Sequence, residues 1–76
     1  MERSLLEFAK HKACEVTKFE GGQHFLNRIT SMGFIPGTKL SILKKGVYGP
    51  IIVQVRDTEV ALGRGEAKKI IVKEVS

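Results

Sequence analysis

The chain has no tryptophan, one tyrosine, one cysteine and two prolines among its 76 residues. A single cysteine excludes an internal disulfide and fits a reducing compartment. No apolar run approaches the ~20 residues of a membrane-spanning helix. Met1-Glu2-Arg3-Ser4 lacks the charged region, long apolar core and small-residue cleavage site of a secretory signal, so a cytoplasmic location is expected. Gly46-x-x-Gly49 and Gly63-x-Gly65 lack the strand–loop–helix setting and the Gly-Lys-Ser/Thr of a phosphate-binding loop. No Ser/His/Asp or Cys/His arrangement is visible, and the carboxylates stand singly among lysines. Neither catalysis nor a cofactor is therefore expected.

What is present is a basic chain of modest apolar content, with a net charge of +5 and 42% hydrophobic residues. Its length suits one domain, residues 1–76, with a core small enough to use most of the large apolar side chains. The positive charge fits three partners: nucleic acid, the anionic cytoplasmic face of a membrane, or an acidic protein. Single-stranded nucleic acid is usually gripped by aromatic platforms among basic residues. Here Lys44-Lys45 and Lys68-Lys69 have only Tyr48 to offer, because the four phenylalanines fit core or helix positions.

Punctuation divides the chain. Ser4 with Glu7 three residues on has the spacing of a capping box, so Leu5–Ala9 is read as a short helical turn. Ala13–Phe19 reads as a strand with Cys14 and Val16 on one face. Phe19 has the opposite parity and reaches that face only through a bend or bulge. After Gly21-Gly22, the residues Phe25, Ile29 and Met32 repeat at i, i+4 and i+7 with Leu26 beside them. Gln23–Met32 is thus an amphipathic helix. Lys39–Lys45, Ile51–Val55, a fourth strand through Val60 and Leu62, and Lys69–Val75 follow as strands. Arg56-Asp57 is a tight reversal, and Gly63–Ala67 is read as an irregular corner. The fold class expected is all-β with a helical insertion: a small SH3-like barrel of about five strands, with the helix between the first two.

Met32-Gly33-Phe34-Ile35-Pro36-Gly37-Thr38 is the densest signal. Gly33 follows the last apolar residue of the helix, where a positive φ is common and glycine alone adopts it freely. Pro36-Gly37 suits the centre of a type II turn. Phe34 and Ile35, between them, are expected to reach back into the core.

This motif, Arg28–Gly37, together with Tyr48-Gly49-Pro50-Ile51, Val60-Ala61-Leu62, and Glu66-Ala67 with Ile70 and Val72, resembles the ferrous iron transport protein A (FeoA) family from about Leu5 to Val75. The resemblance implies an SH3-like barrel in the bacterial cytoplasm without enzymatic activity. It implies a helper or regulator of the membrane ferrous transporter FeoB, through that transporter's cytoplasmic G-protein domain. Contact with the membrane would then be only through the partner. Similar domains end iron- and manganese-dependent repressors, which keeps a nucleic-acid-binding or metal-dependent regulatory module as the alternative. Two positions depart from the family pattern: Gly49 stands where an aspartate is expected, and Gly63 where a basic residue is expected.

His11-x-x-Cys14, with His24 beyond, is the one ligand-like spacing, but a closed site needs about four ligands. Cys14 is expected to pack as a small apolar residue, and no metal site is expected. Partner contacts are expected at Leu26, on the edge of the helical stripe, at Arg28, off it, and at Tyr48 on its loop.

Overall fold

The computed structural model describes residues 1–75. Six strands form one antiparallel sheet, and the names used from here are β1 (Glu2–Ser4), β2 (Ala13–Phe19), β3 (Lys39–Lys44), β4 (Ile51–Val55), β5 (Thr58–Leu62) and β6 (Ile70–Glu74). A 3-10 turn, η1 (Leu5–Glu7), follows β1; α1 (Gln23–Ser31) joins β2 to β3; α2 (Arg64–Lys68) joins β5 to β6. The spatial order is β1-β6-β2-β3-β4-β5. The last strand thus lies between the first two. The all-β architecture with an inserted helix is as expected. The extra strand is β1, too short and too polar to show a period, and it moves the helix to the gap between the second and third strands.

The inward residues alternate as a half-buried sheet requires. Cys14, Val16, Leu40, Ile42, Ile51, Val53, Val55, Leu62, Ile70 and Val72 are buried in one cluster with Leu5, Phe8, Ile29, Phe34 and Ala67. The expected irregularity before Phe19 is present. Val16 faces Val72, the register then slips, and Phe19 faces Ile70. Thr17, the extra residue, turns its hydroxyl to the Ile71 carbonyl at 3.1 Å. The slip changes the parity, and Phe19 packs against the core.

The exit from α1 is a Schellman motif. Phe34 N–H donates to Ile29 O at 3.2 Å and Gly33 N–H to Thr30 O at 2.9 Å, with Gly33 at φ +96°. The apolar pair that accompanies this motif is Phe34 with Ile29, both fully buried. Pro36-Gly37 makes the turn, closed by Thr38 N–H to Ile35 O at 3.0 Å, with Gly37 also at φ +96°. Thr38 is buried and accepts from Ile35 N–H at 3.1 Å through its hydroxyl. The turn is then pinned to β2 by Gly37 N–H to Val16 O at 2.8 Å and Val16 N–H to Thr38 O at 2.9 Å. Ile35 departs from expectation: it is 47% exposed. Once Phe34 occupies the core, the next residue on an extended segment points away from it.

Two further local expectations fail. Ser4 precedes η1 but its side chain caps nothing, and its hydroxyl is buried without a hydrogen-bond partner. The single turn is closed by the backbone alone, Phe8 N–H to Leu5 O at 3.1 Å. Gly63–Ala67 is no irregular corner but the start of α2. Glu66 Oε1 accepts Gly63 N–H at 3.0 Å, half of a capping box whose other half glycine cannot supply. The barrel's two edges, β1 and β5, are bridged by the packing of η1 against α2. Lys45 fastens this side: its Nζ donates to Leu6 O at 2.9 Å and to Phe8 O at 2.6 Å.

Candidate interaction surface on the first helix and the third-strand loop

The helix α1 lays one face on the barrel and leaves the other in solvent. Ile29 is fully buried, and Phe25 and Met32 are half-buried against the core. Phe25 meets Phe19 edge to face, with ring centroids 6.4 Å apart and planes at 72°, and Lys69 Nζ lies 5.3 Å from its centroid. Leu26 is half-buried but outside that cluster, as its place on the edge of the stripe suggested. Its neighbours Asn27 and Arg28 are exposed.

Arg28 is not a free cation. Its guanidinium stands 3.0 Å from Glu66 Oε2, on α2, with the arginine side chain 68% exposed and the glutamate 19%. Glu66 thus holds two things at once, the Gly63 N–H and Arg28. Arg64, two residues earlier, sends its guanidinium to Gly46 O at 3.0 Å. Residues two apart point to opposite sides of a helix. The short α2 therefore stands between α1 and the β3–β4 loop, and ties each of them to the barrel. Tyr48, 88% exposed, and Val47, 78% exposed, form the tip of that loop. Of the three expected contact residues, Leu26 and Arg28 stand two apart on α1, on opposite flanks of its apolar stripe, with Arg28 on the flank that meets α2, and Tyr48 lies on the far side of α2.

Sequence reasoning missed Glu66, Arg64 and Val47. The Gly63-x-x-Glu66 spacing was a usable sign of a helix start, masked by the second glycine at 65. Val47 gave no sign, since a valine in a loop is ordinary.

The ligand-like spacing does not assemble a site. Cys14 is fully buried, and burial pushes its thiol up to about 11 from 9.0. Metal binding needs the thiolate, which this environment disfavours. His11 and His24 are exposed. Among the described residues no three His, Cys, Asp or Glu side chains gather where a metal ion could be held. A groove of about 190 Å³ lies beside β1, lined by Met1, Arg3, Phe8, Ala9, Lys12 and Glu74. It is smaller than the usual range of cofactor pockets, ~300–1,000 Å³. No helix among the described residues is long and apolar enough to cross a membrane.

The FeoA domain family model matches residues 3–74, from β1 through β6. The chain belongs to the FeoA domain family. A candidate Fe(2+) transport protein A of Methanocaldococcus jannaschii is 36% identical over 70 residues, covering 91% of this chain and 84% of that one. The crystal structure of an iron uptake regulatory protein, FeoA, superposes with a TM-score of 0.91 at 29% identity, over 99% of this chain and all of that one. A manganese-dependent transcriptional repressor solved with manganese matches with a TM-score of 0.90 at 22% identity, over 97% of this chain and 37% of the repressor. That last likeness is one of fold. FeoA proteins are associated with Fe(2+) transport and share the SH3-like barrel seen here.

Proposed function

We propose that this FeoA protein is an accessory or regulatory subunit of ferrous iron uptake that acts from the cytoplasm, as one domain, by docking on the membrane transporter FeoB at its G-protein domain. The observation that supports this most is the family match across nearly the whole chain, with a relative named for Fe(2+) transport. A binding role fits the sequence, in which no Ser/His/Asp or Cys/His arrangement is visible and the carboxylates stand singly among lysines.

The docking face is the solvent side of α1 with the adjoining flank of α2. Leu26 supplies apolar area, and Arg28 keeps donors free outside its bond to Glu66, suited to a partner carboxylate. Tyr48 lies on the other side of α2 and is not part of this face. Co-purification from cells, with the whole transporter and its isolated G domain scored separately, tests the proposal. Leu26→Ser combined with Arg28→Ala should abolish association with the G domain and lower ferrous uptake while the purified variant still folds. A folded double variant that co-purifies at the wild-type level would place the contact elsewhere on the barrel. The second reading, a nucleic-acid or metal-dependent regulatory module, has the repressor fold likeness in its favour. It requires oligonucleotide binding tighter than the ~10⁻⁴–10⁻⁶ M of non-specific charge attraction.

A further inference from the structure

The loop tip Val47-Tyr48 is the most exposed apolar feature of the chain apart from Met1. It is carried on glycines, Gly46 and Gly49, the latter at φ +84° and with open space around it. Its setting is cationic. From Gly21 to Arg56 the sequence contains no aspartate or glutamate, and the loop lies within that stretch. Lys44 is exposed at the foot of the loop. Arg64 touches the loop at Gly46 O, and Lys68, exposed one turn further along α2, shares its side. Carboxylates also sit on the elements packed around it: Glu66, paired with Arg28, Glu7 on η1, Glu59 on β5, which pairs with β4 at its end away from the loop, and Glu74 at the end of β6.

We infer that this tip is a membrane-touching device: Val47 and Tyr48 enter the headgroup region of a bilayer carrying anionic lipid, while Lys44, Arg64 and Lys68 lie against its phosphates. Tyrosine is suited to that depth, with an apolar ring and a polar hydroxyl, and lysine and arginine stems reach outward from it. Basic residues near an anionic surface each strengthen attachment about five-fold. A tip of two exposed side chains offers a protein partner little contact area. A fluid bilayer needs no matching shape, and that favours lipid over a protein pocket. The inference goes beyond contact with the membrane through a transporter alone. It rests on the proposed function only in that a membrane transporter keeps the chain beside a bilayer.

The absence of tryptophan makes the test direct, because Tyr48→Trp introduces a single reporter. Its emission should move to shorter wavelength on mixing with vesicles of phosphatidylglycerol and phosphatidylcholine, and stay unchanged with phosphatidylcholine alone. Sedimentation with the same vesicles should weaken about five-fold for Lys44→Ala and again for Lys68→Ala. For Val47→Ser with Tyr48→Ser it should weaken on the order of ten-fold. Both positions are exposed, and a thermal melt of each variant confirms that the fold is kept. The inference fails if the reporter ignores anionic vesicles, or if the double serine variant sediments like the unaltered chain. It also fails if the emission shifts with the purified transporter G domain but not with lipid, which would make the tip a protein contact. No transporter is present in the vesicles, so this result is separate from the co-purification result.

Discussion

Gly33 is held in a left-handed conformation by bonds on both sides of it, since Phe34 and Gly33 together close α1. The nearest atom to a Cβ built there is an Arg56 guanidinium nitrogen at 4.0 Å, so space is not the obstacle. Backbone strain is. Gly33→Val should therefore destabilise by about 2 kcal/mol, with the loss seen as a lower urea midpoint at unchanged slope. A variant melting within a degree or two of the parent would show that the motif tolerates another geometry. Arg28 carries a different lesson. It is exposed and off the apolar stripe, where charge reversal is the simplest probe of a contact. Its bond to Glu66 changes that: glutamate at 28 would set two carboxylates together beside the cap of α2. Truncation is cleaner. Because the arginine is mostly in water, Arg28→Ala should lower stability by no more than about 1 kcal/mol, checked by the same urea titration.

Elements were legible in proportion to how far their own residues set their shape. Ala13–Phe19, Ile51–Val55 and the α1 stripe carry periods that only one structure satisfies, and even the bulge before Phe19 showed as a parity change. The strand β1 carries no such pattern, because its three residues are fixed by pairing with Val72 and its neighbours rather than by burial of their own. The helix α2 was hidden by Gly65, which weakens any local helical preference. That glycine has no positive φ, and nothing lies within 4 Å of where its Cβ would be. Gly65→Ala should accordingly stabilise the protein by about 0.5–1 kcal/mol in thermal or urea unfolding, the opposite sign to the change at Gly33. Of the interaction surface, the exposed residues could be picked from sequence. Their arrangement could not, because α2 is what sets Arg28 and Tyr48 on its two sides.

At the scale of the whole molecule, the barrel is completed by something other than a strand. The η1 turn and α2 close the gap between β1 and β5, and Lys45 ties two carbonyls of the η1 segment to β3. Lys45→Met keeps the apolar stem but removes a charged donor from two bonds, and should destabilise by about 2 kcal/mol. Lys44→Met, in water one residue away, should stay within about 0.5 kcal/mol, so comparing the two unfolding curves isolates the tie. The position of β6 bears on the order of events during synthesis. Translation delivers β1 and β2 early, with an empty place between them that only the final strand fills. Until Ile70–Glu74 leaves the ribosome, those two strands have no common neighbour, and Cys14 and Val16 have nothing to pack against on that side. The nascent chain can form its α1 hinge and its β3–β4–β5 meander as it emerges, but it becomes a barrel in one late step.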